Sequence, residues 1–475
     1  MKISSFLFLL FIASFGCSQT FIWSSEIEIS DGYGNLRPRI ALASNNNPVV
    51  VWGGGTGTQP IYVSRLNGNS FSTPIAVTPI GVDPYTAFWV GPDIAAKGDS
   101  IWVVFDTDLN NGFDVYTVHS NDGGLTFEDT VNVSGYSGLN RFPSIGSDQY
   151  GNVAVSYMSH DNGWSNPRYV VSNSNDAGLS WQTSVNASEA ISGTEVCDCC
   201  PSEIILDGNK QALLFRDNNN NLRDVWSSFS YDGGQTFGIG ADIDDGNWVL
   251  NACPSTGADG LFINDSLIVT WMSAGFGSSK VMITSVSVNN AVSSLNWDMP
   301  GIGGVSQNYP RIAGDQNTIG VCYQQYSSGN NDCYFAYSFI GDTKLDTAVL
   351  LNTSLIGNQT NPDVIYSNET FHFVYQDAIS GNVMYRTAKI STVNIEENNV
   401  NVTVYPNPSS EIIWIEGGQQ NKITVVDASG RLIETSILQN NLESINCSTW
   451  STGSYYYKLC NDLNVVKSGK IIIKR

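Results

Sequence analysis

The sequence predicts an all-β fold, a ring of small four-stranded sheets of the β-propeller kind. Three observations predict it. First, a short proline phrase recurs. It reads Arg37-Pro38-Arg39-Ile40-Ala41, Gly91-Pro92-Asp93-Ile94-Ala95, Phe142-Pro143-Ser144-Ile145, Cys200-Pro201-Ser202-Glu203-Ile204, Cys253-Pro254-Ser255, Tyr309-Pro310-Arg311-Ile312-Ala313 and Asn361-Pro362-Asp363-Val364. The prolines stand 54, 51, 58, 53, 56 and 52 residues apart, a period that marks a repeat architecture. Second, apolar stretches of period two, bounded by Gly, Asn and Asp turns, fill each interval four at a time. Third, no amphipathic helical pattern of useful length occurs. Four-stranded units of this size without helices make a propeller.

Taken in order, the chain opens with Met1-Lys2 and an apolar run from Phe6 to Ile12, followed by Gly16-Cys17-Ser18. This reads as a secretory signal over 1–18, cleaved before Gln19 and too short to span a bilayer. Acylation of Cys17 is the alternative processing. The propeller is expected over 19–393. Pro48 to Trp52, Ile61 to Arg65 and Thr73 to Thr78 are strands of the first repeat, and Ile101 to Phe105 and Asp114 to His119 belong to the second. Val153 to Tyr157 with Arg168 to Ser172, and Ala212 to Phe215 with Asp224 to Phe229, continue the pattern. Seven phrases predict a seven-bladed propeller, with six blades as the fallback. The seventh repeat supplies only three strands, Val364-Ile365, Phe371 to Tyr375 and Val383 to Ala388. Phe21 to Ile29 is the unassigned strand that can complete it and leave no open edge.

Three turns share a sharper form: Ser120-Asn121-Asp122-Gly123-Gly124-Leu125-Thr126-Phe127, Ser174-Asn175-Asp176-Ala177-Gly178-Leu179-Ser180-Trp181 and Ser230-Tyr231-Asp232-Gly233-Gly234-Gln235-Thr236-Phe237. In each, Asp folds back on backbone amides, Gly takes positive φ, and the aromatic plugs between strands. The pattern resembles the Asp box, or bacterial neuraminidase repeat, of sialidase-like propellers. That resemblance implies outer turns away from the active face. The stretch Cys197-Asp198-Cys199-Cys200-Pro201, Phe215-Arg216-Asp217, Leu222-Arg223-Asp224 and Cys253-Pro254 also resembles an uncharacterised exported branch of that family.

Residues 394–401 read as a short linker. From 402 the chain contains Val404-Tyr405-Pro406-Asn407-Pro408, Ile423-Thr424-Val425-Val426-Asp427-Ala428-Ser429-Gly430-Arg431 and the closing run to Arg475. Residues 402–475 resemble the C-terminal sorting domain of type IX secretion cargo of Bacteroidota. The resemblance implies a small β-sandwich, handling by the type IX machinery, and release or attachment at the outer-membrane surface. A net charge of -22 argues against nucleic acid as a partner. No transmembrane segment is expected, and no cofactor either: phosphate-loop, nucleophile-elbow and zinc-protease motifs do not occur.

In a propeller, the entries to first strands and the loops joining second to third strands share one face. Arg37, Arg39, Arg141 and Arg311 fall at the entries. Asp106, Asp108, His160, Asp161, Arg216, Asp217, Arg223 and Asp224 fall at those loops. Arg216-Asp217 and Arg223-Asp224 read either as ion pairs closing an Asn-rich loop or as guanidinium groups for a carboxylate or sulfate. The expected ligand-binding set is Arg216, Arg223, Asp224, Arg39, Arg141 and Arg311, and the expected ligand is a glycan or a surface protein. The alternative is a glycoside hydrolase with Asp217, Glu203 or Glu195 as the catalytic carboxylates. Arg39-Ile40 resembles the first arginine motif of sialidases, but its proline precedes the arginine, and no Tyr/Glu pair is evident by position.

Eight cysteines besides Cys17 in an exported chain favour disulfides. Cys200–Cys253, Cys322–Cys333 and Cys447–Cys460 are the expected bridges. A thiolate metal site of Cys197, Cys199, Cys200 and Cys253 is the alternative.

Overall fold

A computed structural model describes residues 19–475 apart from 31, 33, 109–111, 136, 189–194, 302–304, 328, 340–342, 346, 393–401, 429 and 461–464. The expected signal peptide, Cys17 and the linker at 394–401 lie outside the described residues. The chain separates into two compact units, Phe21–Ser391 and one holding Thr392–Arg475.

Among the described residues the first unit is all-β, with one 3-10 turn at Ser44–Asn46 and no α-helix. It contains seven antiparallel sheets of four or five strands. Their first strands are Leu36–Ala43, Asp93–Lys97, Leu139–Ser147, Glu203–Asp207, Asp259–Ile263, Ser306–Gly314 and Gln359–Ser367. Each packs on the first strand of the next sheet, and Gln359–Ser367 packs on Leu36–Ala43, so the circle closes around a common axis. The arrangement is propeller-like, as the repeat predicts. Gln19–Trp23 and Ile27–Glu28 both pair with Asn382–Thr392 and complete the seventh sheet with strand from the other end of the chain.

The strands read as near-continuous apolar runs because both faces of each sheet are covered. In Asn47–Gly53, Val49 and Val51 face the second sheet while Val50 and Trp52 face the seventh. In Lys210–Asn218, Leu213 and Phe215 face the third sheet, and Ala212 and Leu214 face the fifth. Each pair of neighbouring sheets thus shares its own apolar core. Trp52, Trp102 and Trp271 are almost fully buried in these layers, and each large side chain contributes about 1.5–3 kcal/mol.

The proline phrase has a specific local structure. Arg37, Phe142, Tyr309 and Asn361, each directly before proline, have φ of 53°, 55°, 50° and 50°. The ladder skips there, between Leu36 and Arg39, Arg141 and Ser144, Asn308 and Arg311, and Thr360 and Asp363. One extra residue on the first strand makes a β-bulge, which bends the strand and re-aims its side chains. Proline fits because a bulge position needs no ladder amide. The residue after proline then stitches sheets together. Asp93 Oδ2 accepts the Ile145 amide (3.0 Å), Ser144 Oγ accepts the Ile204 amide (3.0 Å), and Asp363 Oδ2 accepts the Ile40 amide (2.9 Å) across the closure. In the fifth sheet the proline phrase ends ahead of the strand, and Asp259, five residues past Pro254, takes this role: its Oδ2 accepts the Ile312 amide at 2.8 Å.

The three sharp turns are local hydrogen-bond knots. Asp232 accepts from the amides of Gln235 (3.0 Å) and Thr236 (2.9 Å) and from the Thr236 hydroxyl (2.6 Å). Asp122 is held the same way by Leu125 and Thr126, and Asp176 by Ser180. The Thr236 hydroxyl leads in holding the Asp232 carboxyl down to about 2. Trp181, at the end of the second knot, donates to Thr117 Oγ1 at 2.9 Å.

In the second unit, Thr403–Tyr405, Ile412–Glu416 and Leu442–Asn446 form one sheet. Lys422–Asp427, Leu432–Ile437, Gly453–Cys460 and Val465–Ile473 form the other. Ile413 and Ile415 from the first pack with Val425, Leu459 and Ile471 from the second in one core.

Candidate functional site

Where the first strands begin, their side chains meet in a charged neck. Arg311 Nη1 lies 2.6 Å from Glu203 Oε2, and its Nε lies 2.8 Å from Asp363 Oδ1 and 3.4 Å from Asp259 Oδ2. Arg39 Nε is 3.9 Å from Asp93 Oδ1. Arg37 donates to Asn361 Oδ1 at 3.3 Å and lies 5.8 Å from the Tyr309 ring, while its Nε has no partner among the described residues. Burial and the Arg39 charge bring the Arg37 guanidinium down to about 9. Burial pushes Glu203 up to about 8 against the pull of Arg311, with Asp93 and Asp259 adding to the rise. The space on the entry side of this belt is only about 40 Å³. On the other side a cavity of about 1360 Å³ runs to the turns between first and second strands, past Tyr150, Lys210 and Phe262. The wider opening is thus at the end opposite the one the sequence favoured. Bulged strands crowd the entry end with long side chains, whereas the far ends of the strands diverge.

At the rim of the entry end, the second and third sheets carry an aromatic patch. Phe113 and Trp164, at φ of 57° and 61°, sit in the loops joining second and third strands. Trp164 is 46% exposed. Its ring stands edge-on 4.9 Å from Phe113 and 5.1 Å from His160. Arg141 lies over Tyr85 at 4.5 Å, with Phe142 at 5.3 Å and Phe113 at 5.6 Å, and its Nε donates to Asp106 Oδ2 at 2.9 Å. Asp161 accepts from Arg168 (3.0 Å) and Asn166 (3.2 Å), and the Asn166 contact leads in lowering its carboxyl. His160 is lowered by burial, partly offset by its contact with the Leu139 carbonyl and by the charge of exposed Asp198. Asp198 belongs to the cysteine turn, which places that turn beside the patch.

The cysteine turn corrects one expected bridge. Cys253 bonds Cys199, not Cys200, with Cα atoms 6.0 Å apart. Cys200 points inward and is fully buried, and its carbonyl accepts the Tyr169 hydroxyl. Cys199, on the outer side of the turn, is the sulfur that reaches the neighbouring loop. Closing a loop of 54 residues stabilises by about 4 kcal/mol on the chain-entropy model. Cys197, Cys199 and Cys200 present sulfurs within 4.8 Å of one another, but with Cys199 bonded only two thiols remain, short of the four ligands of a structural zinc site. The other two expected bridges are also corrected. Cys322 faces Phe335 and Cys333 faces Gln324 across their ladder, so the two sulfurs are staggered by two residues and both are free. Cys447 contacts Ser409 Oγ at 3.6 Å, and it and Cys460 are free.

Arg216 and Arg223 do not face solvent. Arg216 donates to the carbonyls of Arg223 and Met272 (2.7 Å) and lies 5.4 Å from the Trp248 ring. Arg223 Nε reaches the Leu250 carbonyl at 3.4 Å, and Asp224 Oδ1 accepts the Trp248 amide at 2.9 Å. Burial lifts Asp224 to about 6. Together these residues bolt the fourth sheet to the loop ahead of the fifth. Glu203 pairs with Leu214 in register, and Asp217 stands three residues beyond, an odd offset that puts it on the opposite sheet face. The expected carboxylate pair is therefore not assembled. Glu195 is exposed on a two-residue strand opposite Asn218. A Tyr/Glu contact that spacing did not reveal joins Tyr375 to Glu26, and Thr353 donates its amide to the same carboxylate at 2.7 Å. Burial, with Glu26 adding to it, raises the Tyr375 phenol, which keeps it protonated and suits a clamp on the seventh sheet rather than a nucleophile.

Residues 403–474 match the family described as the secretion system C-terminal sorting domain. The chain therefore carries a type IX sorting tail. No curated protein matches the chain. Among solved structures it is similar to a protein of unknown function from Dyadobacter fermentans DSM 18053, at 10% identity over 78% of this chain and 99% of that one, with a TM-score of 0.47. It is similar to an ulvan lyase of polysaccharide lyase family PL25, at 8% identity over 77% and 95%, with a TM-score of 0.49. It is also similar to the GH93 α-L-arabinofuranosidase of Fusarium graminearum, at 14% identity over 77% and 97%, with a TM-score of 0.41. Among the described residues no helix is long and apolar enough to cross a membrane.

Proposed function

We propose that the protein is a type IX-exported, seven-bladed β-propeller (19–393) with Asp-box turns and a C-terminal β-sandwich (402–475), and that it binds a glycan at the entry-end rim of blades two to four. Seven sheets with seven inter-sheet cores support the blade count. The observation that carries the binding reading is Trp164, an indole 46% exposed yet fixed edge-on by Phe113 and His160. A sugar ring has an apolar C–H face and a polar edge. A rigid indole covers the first at low entropy cost, and Asp161, Arg168 and Asp198 border it to meet the hydroxyls. Arg141, held over three aromatic rings, anchors the platform. The test is glycan-array screening followed by calorimetry on the mature protein. Trp164→Ala should weaken the selected glycan at least ~10-fold, a loss of about 1.4 kcal/mol, with its melting temperature unchanged. Equal affinity in that variant would overturn the reading.

A hydrolase is the second reading, and one observation favours it: Glu203, lifted to about 8 inside the channel, holds a proton at neutral pH as a general acid must. Release of reducing ends from polysaccharides, abolished by Glu203→Gln, would replace binding by catalysis as the primary activity.

A further inference from the structure

Four sulfurs share the corner between the third, fourth and fifth sheets. Three of them lie on one turn that hydrogen bonds hold in place: the Cys197 amide donates to the Arg216 carbonyl at 2.8 Å, the Cys200 amide to the Cys197 carbonyl at 3.4 Å, and the Tyr169 hydroxyl to the Cys200 carbonyl. Cys197 Sγ stands 3.5 Å from Cys199 Sγ and 3.3 Å from Cys200 Sγ. Cys197 and Cys200 have no exposed surface. Cys253 is exposed and Cys199 half-buried, so their bridge is open to solvent. A dithiol sealed from outside oxidants therefore touches a disulfide that is not sealed.

We propose that these cysteines form an internal thiol–disulfide relay, in which the surface bridge Cys199–Cys253 oxidises the buried pair Cys197/Cys200 and is then re-formed from outside. In the first step Cys197 sulfur attacks Cys199 sulfur. The Cys197–Cys199 bond forms, the Cys199–Cys253 bond breaks, and the proton lost by Cys197 passes to Cys253. In the second step Cys200 sulfur attacks Cys197 sulfur. The Cys197–Cys200 bond forms, Cys199 leaves, and the proton lost by Cys200 passes to Cys199. The exchange needs no net electrons. A small disulfide or an extracytoplasmic disulfide oxidoreductase then takes two electrons and two protons from Cys199 and Cys253 and restores their bridge. Against burial, the contact with Cys197 and the nearby Arg216 charge favour the thiolate on Cys200, the attacker of the second step. An exported chain meets such oxidants as a matter of course. The relay gives the corner two disulfides although only one can be reached.

The test takes the folded mature protein, reduces it with dithiothreitol, and reoxidises it with glutathione disulfide, with N-ethylmaleimide quenching and peptide mapping. Wild type should end with Cys197–Cys200 and Cys199–Cys253 both closed. Early quenches should contain Cys197–Cys199 together with alkylated Cys253, a signature that depends on no variant folding. Cys199→Ser should slow closure of Cys197–Cys200 at least ~10-fold, and Cys200→Ser should accumulate Cys197–Cys199 with free Cys253. Closure of the buried pair at the wild-type rate in Cys199→Ser overturns the relay. So does wild type that completes Cys199–Cys253 and keeps both buried thiols.

Discussion

The neck and the rim use the same residue type in opposite ways. Arg311 sits among Glu203, Asp259 and Asp363 with 16% of its side chain exposed. Arg141, also at 16%, has one carboxylate partner, Asp106, and lies against aromatic rings next to an exposed indole. Exposure of the arginine therefore does not distinguish the two places. Their neighbours do. In the neck the charges answer one another and hold sheets together. At the rim, aromatic faces remain uncovered, and uncovered aromatic surface beside polar groups is what a ligand can occupy.

The comparison breaks first at Arg311. Replacing it with Ala strands the carboxylates of Asp259 and Asp363 and takes away the donor to Glu203, and loss of one partner from a buried ion network costs about 3–5 kcal/mol. Urea unfolding of the mature protein should show that loss, whereas Arg141→Ala should cost clearly less. If the two variants unfold alike, the neck is not the fastening that its distances suggest.

Glu203 gives the next effect, through pH. Its folded value, about 8, lies above the ordinary 4.5. The folded state therefore keeps a proton that the unfolded chain releases between those values. Stability from this group is complete below 4.5, falls as pH rises, and is gone above about 8. The decline should be on the order of a few kcal/mol, and Glu203→Gln should flatten it. A slope that survives in Glu203→Gln belongs to another group.

Ser144→Ala should cost about 1–3 kcal/mol, because it leaves the buried Ile204 amide without an acceptor between the third and fourth sheets. Hydrogen exchange at Ile204 reads the loss directly. The smallest effect is expected at the outer knots. Thr236→Val removes one hydroxyl from Asp232 and should cost about 0.5–1.5 kcal/mol in thermal unfolding without touching glycan affinity.

Much of the fold was legible because the repeat is written in residues with fixed local demands. Proline marks the bulge in four of the seven first strands, near-continuous apolar runs mark strands covered on both faces, and Asp-x-Gly turns mark the outer knots. The partner strand for the seventh sheet was legible for the same reason, since Phe21 to Ile29 was apolar and unassigned. The site was less so. Arg216 and Arg223 looked like channel residues, but the carbonyls that receive them belong to Met272 and Leu250, more than twenty residues away. Glu203 and Asp217 looked like a carboxylate pair until the register put them on opposite faces. Trp164 drew no notice in sequence, because one tryptophan in a hairpin has no pattern, and its two ring partners come from Phe113 in the preceding sheet and from His160 in its own.

By itself the sequence determined the all-β repeat and the sorting tail, since these follow from local conformational preference and period. Tertiary structure alone decided what the proline phrase accomplishes. It turned Asp363 toward Ile40, chose Cys199 over Cys200 for the bridge, and brought Arg311 to three carboxylates from three other sheets. Such choices rest on through-space distances of a few ångströms between residues more than fifty apart in the chain, and only the closed packing of the sheets sets those distances.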